Sequence, residues 1–221
     1  MTQDNPADTS VGWEILNARY NHLMELLLGT NNKGKVIEMQ EALSSLNISL
    51  MRPIDLGITS VPEETGDTFM ENAEQKARFF FEKGNLPTLA DDSGIIVDAL
   101  KDELGIHTRR WGAGKDATDE QWIAHFLDRM SKEENKRARF LCTLVYIDQE
   151  GTSHMFEGRC DGIITDSLEA DFLPGLPISA CFKPFGYDQV YSAMSVEEKN
   201  DVSHRGKALQ LFVEYVSKNP Q

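Results

Sequence analysis

Apolar positions along the chain fall into short blocks and helical stripes that alternate. Met24-Glu25-Leu26-Leu27-Leu28 reads as a buried strand that runs into Gly29-Thr30-Asn31-Asn32-Lys33-Gly34-Lys35. A helix then carries Val36, Ile37, Met39, Leu43 and Leu46 as its apolar positions. Thr68 to Glu82 is a second helix, with Phe69, Ala73, Ala77, Phe80 and Phe81 apolar and Thr68 with Glu71 forming a capping box. Leu86, Leu89 and Ala90 lead into Asp91-Asp92-Ser93-Gly94, and Ile95-Ile96-Val97 follows; this predicts a strand end, a tight turn and a new strand. Ala117-Thr118-Asp119 caps a helix whose stripe of Trp122, Ile123, Phe126, Leu127 and Met130 reads as core. Ala138 to Ile147 alternates as a strand, Gly151 turns it, and His154 to Gly158 returns, continuing to Ile163-Ile164. Met194 to Asn200 begins a helix, Ser203 to Lys207 interrupts or restarts it, and Ala208, Leu211, Phe212, Tyr215 and Val216 line the last helix. Strands interleaved with helices make the chain α/β.

Composition adds limits. The chain has 221 residues, 40% hydrophobic and 26% charged, enough for one large domain or two small lobes. No apolar run reaches the roughly 20 residues that span a bilayer, so no membrane association is expected. Met1 to Ser10 is polar and lacks a basic region followed by an apolar block, so it is not read as a secretory signal. Residues 1–20 are expected to be a partly disordered N-terminal extension. Cys142, Cys160 and Cys181 form no CxxC pair and no zinc spacing, which suits a reducing, cytoplasmic setting. The formal net charge of −14 argues against a nucleic-acid partner. A nucleotide enzyme needs only a local group of Lys and Arg, so their placement is informative.

Strand, glycine-bearing loop and helix offer backbone N–H groups to an anion, and Lys33 and Lys35 suit a phosphate. The Walker pattern is absent, and a solvated Asn/Gly turn is an equal reading. Asp91 and Asp92 repel each other, and a metal is one compensation; a plain surface turn is the other. Glu63 and Glu64 read most simply as turn charges. Arg109 and Arg110 lie in a basic loop with Trp111. Phe185-Gly186-Tyr187-Asp188 sets aromatics in a loop, suited to stacking on a base or to ordinary packing. Lys199, His204, Arg205 and Lys207 form a dense late basic group.

Four separated segments occur in a telling order: Thr30 to Lys35; Glu71-Asn72-Ala73 with Lys76-Ala77; Ala90 to Gly94; and Phe185 to Asp188 followed by Glu198-Lys199-Asn200 and Ser203-His204-Arg205. Over roughly residues 23–217 the chain thereby resembles the non-standard purine nucleoside triphosphate pyrophosphatases, the Ham1-like or inosine triphosphate pyrophosphatase family. The resemblance implies a long mixed β-sheet flanked by helices, a single two-lobed domain over residues 21–221, a nucleotide cleft between the lobes, and usually a homodimer. It implies hydrolysis of ITP, dITP or XTP to the monophosphate and pyrophosphate with Mg²⁺. By position, Thr30, Asn31, Asn32, Lys33, Gly34 and Lys35 would hold the triphosphate, with Lys76 and Arg110 as counter-charge. Asp92 would be catalytic base and metal ligand, Glu63 the second ligand, and Ser93 a substrate contact. Phe185, Gly186, Tyr187 and Asp188 would line the base and sugar pocket, and Lys199, His204 and Arg205 would close over substrate. The chain departs from the family at Asn31 (usually Gly), at Gln189 (usually Pro), in a trimmed Tyr191–Met194 segment, in the Leu173–Lys183 insert and at Arg109. These leave two alternatives: a nucleotide-binding protein with weakened turnover, or a pyrophosphatase retuned to other modified nucleotides.

Overall fold

A computed structural model describes residues 24–100, 103–114 and 116–219; the expected N-terminal extension lies outside the described residues. The elements run β1 (Met24–Leu28), α1 (Lys33–Ala42), β2 (Ile48–Met51), α2 (Phe69–Gly84), β3 (Thr88–Val97), α3 (Asp119–Met130), β4 (Arg137–Ile147), β5 (Ser153–Ile164), β6 (Phe182–Pro184), α4 (Val196–Val202) and α5 (His204–Lys218). They form the expected α/β architecture around one six-stranded mixed sheet ordered β2-β1-β3-β4-β5-β6. β1 is parallel to β2 and β3, and the remaining pairs are antiparallel. No described helix is long and apolar enough to cross a membrane.

Helix starts follow the local chemistry. Asn32 caps α1 by accepting from the Lys35 N–H, while Thr68, Thr118 and Ser195 form capping boxes with Glu71, Gln121 and Glu198. Ser203 ends α4 and caps α5, accepting from the Gly206 N–H, which resolves the interruption expected there into two helices meeting at one residue.

The expected turn at Asp91–Gly94 is corrected. β3 is one continuous strand of 10 residues, paired with β4 from Thr88↔Ile147 through Val97↔Ala138. Asp, Ser and Gly favour turns locally, but here the long ladder to β4 and charges from distant elements hold them extended. Because side chains alternate across a strand, the two aspartates face opposite ways. Asp91 shares the face of Leu89, Leu144 and Tyr146, covered by Met39 and Leu43 on and after α1 and by Ala208, Leu209 and Phe212 of α5. Asp92 shares the face of Ala90 and Val145, covered by Ala73 and Ala77 of α2. Farther along β3, Ile95 and Val97 pack under Trp122 and Phe126 of α3.

β1 meets β3 only at Leu27↔Thr88 and Leu28↔Leu89. The edge of β3 from Ala90 onward therefore has no strand beside it, and both faces become reachable from one cleft. α5 reaches this region because Gly158 on β5 lacks a side chain: a Cβ there would run into the His204 carbonyl and come 2.8 Å from the Ala208 nitrogen. Backbone cannot yield cheaply, so Gly158→Ala is expected to cost about 1–3 kcal/mol, lowering Tm by several degrees, and to displace the turn carrying His204 and Arg205. Calorimetry checks this; an unchanged Tm would contradict the close approach.

Candidate functional site

The cleft at the carboxyl end of β1 has a volume of about 410 Å³, within the range of small-molecule sites. One wall is the β1–α1 loop, with Gly29, Thr30, Asn31, Asn32 and Lys35. The floor is the β3 edge with Asp92, Ser93 and Gly94, and Lys76 rises from α2. Lys199, His204 and Arg205 close the far side, and Trp122, Phe140, Ile178 and Tyr191 form an apolar end.

Charge is arranged in two linked groups. On the α1/α5 face, Asp91 Oδ2 lies 3.0 Å from Lys35 Nζ, accepts from Arg205 Nη2 at 3.1 Å and from the Ser93 hydroxyl at 3.1 Å. Arg205 also pairs with Glu38, whose other oxygen lies 2.6 Å from Lys199 Nζ. Burial alone would raise the Asp91 and Glu38 pKa values, but Lys35 and Arg205 around Asp91, and Arg205 and Lys199 around Glu38, hold both carboxyls below their usual range. Arg205 is raised by Asp91 and Glu38 against the effect of burial, which lowers it.

On the α2 face, Lys76 Nζ lies 2.9 Å from Glu64 Oε1 and 3.1 Å from Asp92 Oδ1, and Asn72 donates to Asp92 Oδ2 at 3.2 Å. Burial lowers the Lys76 pKa, but Asp92, Asp91 and Glu64 raise it on balance. Glu64 and Asp92 thus converge on one cation.

Most of the expected site residues come together here. Thr30, Asn31, Asn32, Lys35, Lys76, Asp92, Ser93, Lys199, His204 and Arg205 all line the cleft. Seven of the expected residues do not line it. Glu63 is exposed, and its neighbour Glu64 reaches Lys76 instead, so the acid offered to the cleft is the second of the pair. Lys33 is exposed at the start of α1 and does not line the cleft. Gly34 is buried beneath the insert: a Cβ there would meet Leu176 Cδ1 at 2.8 Å and the Pro174 carbonyl at 2.9 Å. The Leu173–Pro177 loop is further tied down by Asn32 Nδ2 donating to the Gly175 carbonyl at 3.3 Å. Phe185, Gly186, Tyr187 and Asp188 are exposed and do not line the cleft. They follow β6, the edge strand, with β4 and β5 between it and β3; Phe185 instead sits 5.8 Å from the Arg137 guanidinium. The Arg110 side chain lies outside the described residues. Glu38 and the apolar end were missed, because Glu38 sits in a helix whose stripe signalled only packing.

His204 is 6% exposed, stacked on Phe140 at 4.6 Å and 15°. Burial, then the Arg205 charge, pushes its pKa well below the ordinary histidine value. A histidine held neutral in the fold stabilises it only above the unfolded-state pKa of about 6.5. Below that pH the unfolded chain takes up the proton first and stability falls. Tm is expected to begin falling below about pH 6.5, and His204→Gln to remove that part of the decline. Parallel Tm–pH curves for the two proteins would contradict it.

Among the described residues, no group of three or more His, Cys, Asp or Glu side chains forms a cage for a metal. The donor set nevertheless fits Mg²⁺, which takes oxygen ligands, keeps several waters and needs only one or two protein carboxylates beside substrate phosphates. Glu64 and Asp92 are such a pair. The eight charged groups just described number four cations (Lys35, Lys76, Lys199, Arg205) and four anions (Glu38, Glu64, Asp91, Asp92). A nearly neutral set has little surplus for a triphosphate, so a divalent cation arriving with the substrate suits it electrostatically.

Known proteins share this sequence pattern and fold. A protein of Leptospira interrogans named dITP/XTP pyrophosphatase is 38% identical over 205 residues, covering 89% of this chain and 98% of its own length. One of the same name from Thermus thermophilus is 37% identical over 208 residues, covering 89% and 94%. A solved structure of a HAM1 protein from Coxiella burnetii superposes with a TM-score of 0.75 at 30% identity, covering 88% of this chain and 99% of that one. The sequence model of the Ham1 family matches residues 26–215, from β1 through the cleft to α5, and the chain belongs to that family.

Proposed function

We propose that the protein hydrolyses non-standard purine nucleoside triphosphates, of the dITP, XTP and ITP class, to the monophosphate and pyrophosphate, with Mg²⁺ as cofactor. The observation that carries the reading is the convergence of Glu64 and Asp92 on Lys76 beside the start of α1. The names of the Leptospira and Thermus relatives support the substrate class.

In this reading the phosphates lie along the β1–α1 loop, where Thr30, Asn31 and Asn32 and the helix N-terminus favour anions. Lys35 and Arg205, kept in place by Asp91, face the same anion with their remaining donors. Glu64 and Asp92 would hold Mg²⁺, which would supply positive charge to the phosphate oxygens and the leaving pyrophosphate. Asp92 orients the attacking water and accepts its proton as the oxygen bonds to the α-phosphorus, while Asn72 fixes the carboxylate. Attack at this phosphorus breaks its bond to the bridging oxygen and releases pyrophosphate.

The test is pyrophosphate release from dITP, XTP, ITP, GTP and ATP with and without Mg²⁺. Release is expected from the first three, dependent on Mg²⁺ and at least about tenfold faster in kcat/KM than from ATP. No pyrophosphate from any of the five would overturn the reading.

A further inference from the structure

Three residues at the apolar end of the cleft carry a fully buried polar atom with no hydrogen-bond partner: Trp122 Nε1, the Tyr191 hydroxyl and His204 Nδ1. Their residues are 2%, 2% and 6% exposed. Buried polar atoms are nearly always paired in native proteins, and an orphan costs free energy until something satisfies it. The Tyr191 hydroxyl faces the Cys160 thiol, a weak partner, and the His204 backbone, and is the least isolated of the three. Unpartnered atoms on Trp122 and His204, two residues that line the same cleft, are better explained by a ligand than by separate packing faults.

The rings around them point to the shape of that ligand. Phe140 and His204 are near-parallel, and so are Tyr191 and His204, with centroids 6.1 Å apart at 14°. Phe140 and Tyr191 lie at 26°. A flat aromatic ligand extends such a set of plates by offset stacking. Trp122 is fixed beside them by its own stack on Phe126, at 5.3 Å and 13°.

We propose that Trp122 is a specificity-determining residue, whose indole N–H donates to an oxo oxygen of a purine base seated against Tyr191 and His204. The proposal rests on the pyrophosphatase reading above. The indole N–H is a donor only, whereas the Tyr191 hydroxyl and a neutral imidazole can each both give and take. Trp122 is therefore the group among the three that selects by sign. The oxo oxygen of hypoxanthine or xanthine satisfies it. The exocyclic amine of adenine sets donor against donor and leaves both unpaired in a dry site. Tyr191 is the second contact. Both residues read from the sequence as packing alone, because neither belongs to a motif that signals chemistry.

Trp122→Phe deletes the N–H and keeps an aromatic ring on Phe126; Tyr191→Phe deletes the hydroxyl and keeps the plate. The readout is kcat/KM for dITP, XTP and ATP in each variant, with dissociation constants of dIMP and dAMP by calorimetry. In Trp122→Phe the dITP-to-ATP ratio is expected to fall about 10- to 100-fold, with the dIMP-to-dAMP binding preference falling in step. A smaller fall is expected in Tyr191→Phe. A role in packing alone would weaken all substrates together. An active wild type with ratios unchanged in both variants would overturn the assignment and leave the pyrophosphatase reading standing. A wild type that neither hydrolyses nor binds any nucleotide would overturn both.

Discussion

Asp92→Asn is expected to lower kcat for dITP by about 10³-fold or more while leaving Tm within a few degrees of wild type. Asparagine keeps the shape and can still accept from Asn72, so the strand and the α2 contact remain. Lys76 retains Glu64 as its partner, at 2.9 Å, and is not left as an uncompensated buried charge. What disappears is the negative charge that would share Mg²⁺ with Glu64 and take the proton of the attacking water. The loss should fall on kcat, with KM changed far less, because these interactions mature in the transition state. An Asp92→Asn enzyme with near wild-type kcat would remove Asp92 from the chemistry.

The neighbouring substitution should behave in the opposite way. Asp91→Asn is expected to cost about 3–5 kcal/mol, lowering Tm by roughly 10 °C, because it breaks a buried ion network from one side. Asp91 is 1% exposed and holds both Lys35 and Arg205. With it neutral, Lys35 loses its charged partner, and Arg205 keeps Glu38 and the Ser93 hydroxyl. The pH dependence has a definite sign. A carboxyl whose pKa is depressed by folding contributes stability above the unfolded value, near 3.9, and loses it as pH falls toward the lower folded value. Wild type should therefore lose stability steeply in acid below about pH 4, and Asp91→Asn should show a shallower acid limb. Chemical denaturation at pH 7 and across the range below about pH 4 measures both. A variant with wild-type stability and the same acid limb would contradict the network. Two adjacent aspartates thus divide the labour by facing opposite sides of one strand, one supporting the fold of the site and the other its chemistry.

That division explains what could be read from the chain and what could not. Helix starts at Thr68, Thr118 and Ser195 were legible because a cap is a local event over four residues. The β4–β5 hairpin was legible from alternation about Gly151. The strand nature of Asp91–Gly94 was not, because what holds it extended comes from β4, from Lys35 and from Arg205, the last 114 residues away. β2 and β6, with four and three residues, are too short for a periodic signal. The Phe185–Asp188 loop was expected in the cleft on resemblance; the order of strands in the sheet, which no local pattern encodes, sets it at the far edge. Glu63 and Glu64 are neighbours in sequence, yet only Glu64 lines the cleft. Trp122 was correctly read as core, but its polar edge becomes visible only when partners are counted around the nitrogen.

The central claim is that water attacks the α-phosphorus of a non-standard purine triphosphate in this cleft. Hydrolysis of dITP in ¹⁸O-labelled water with Mg²⁺, with both products examined by ³¹P resonance and mass, tests it directly. Equal amounts of dIMP and pyrophosphate are expected, with the label in dIMP alone. Label in pyrophosphate, or formation of dIDP and inorganic phosphate, would contradict it.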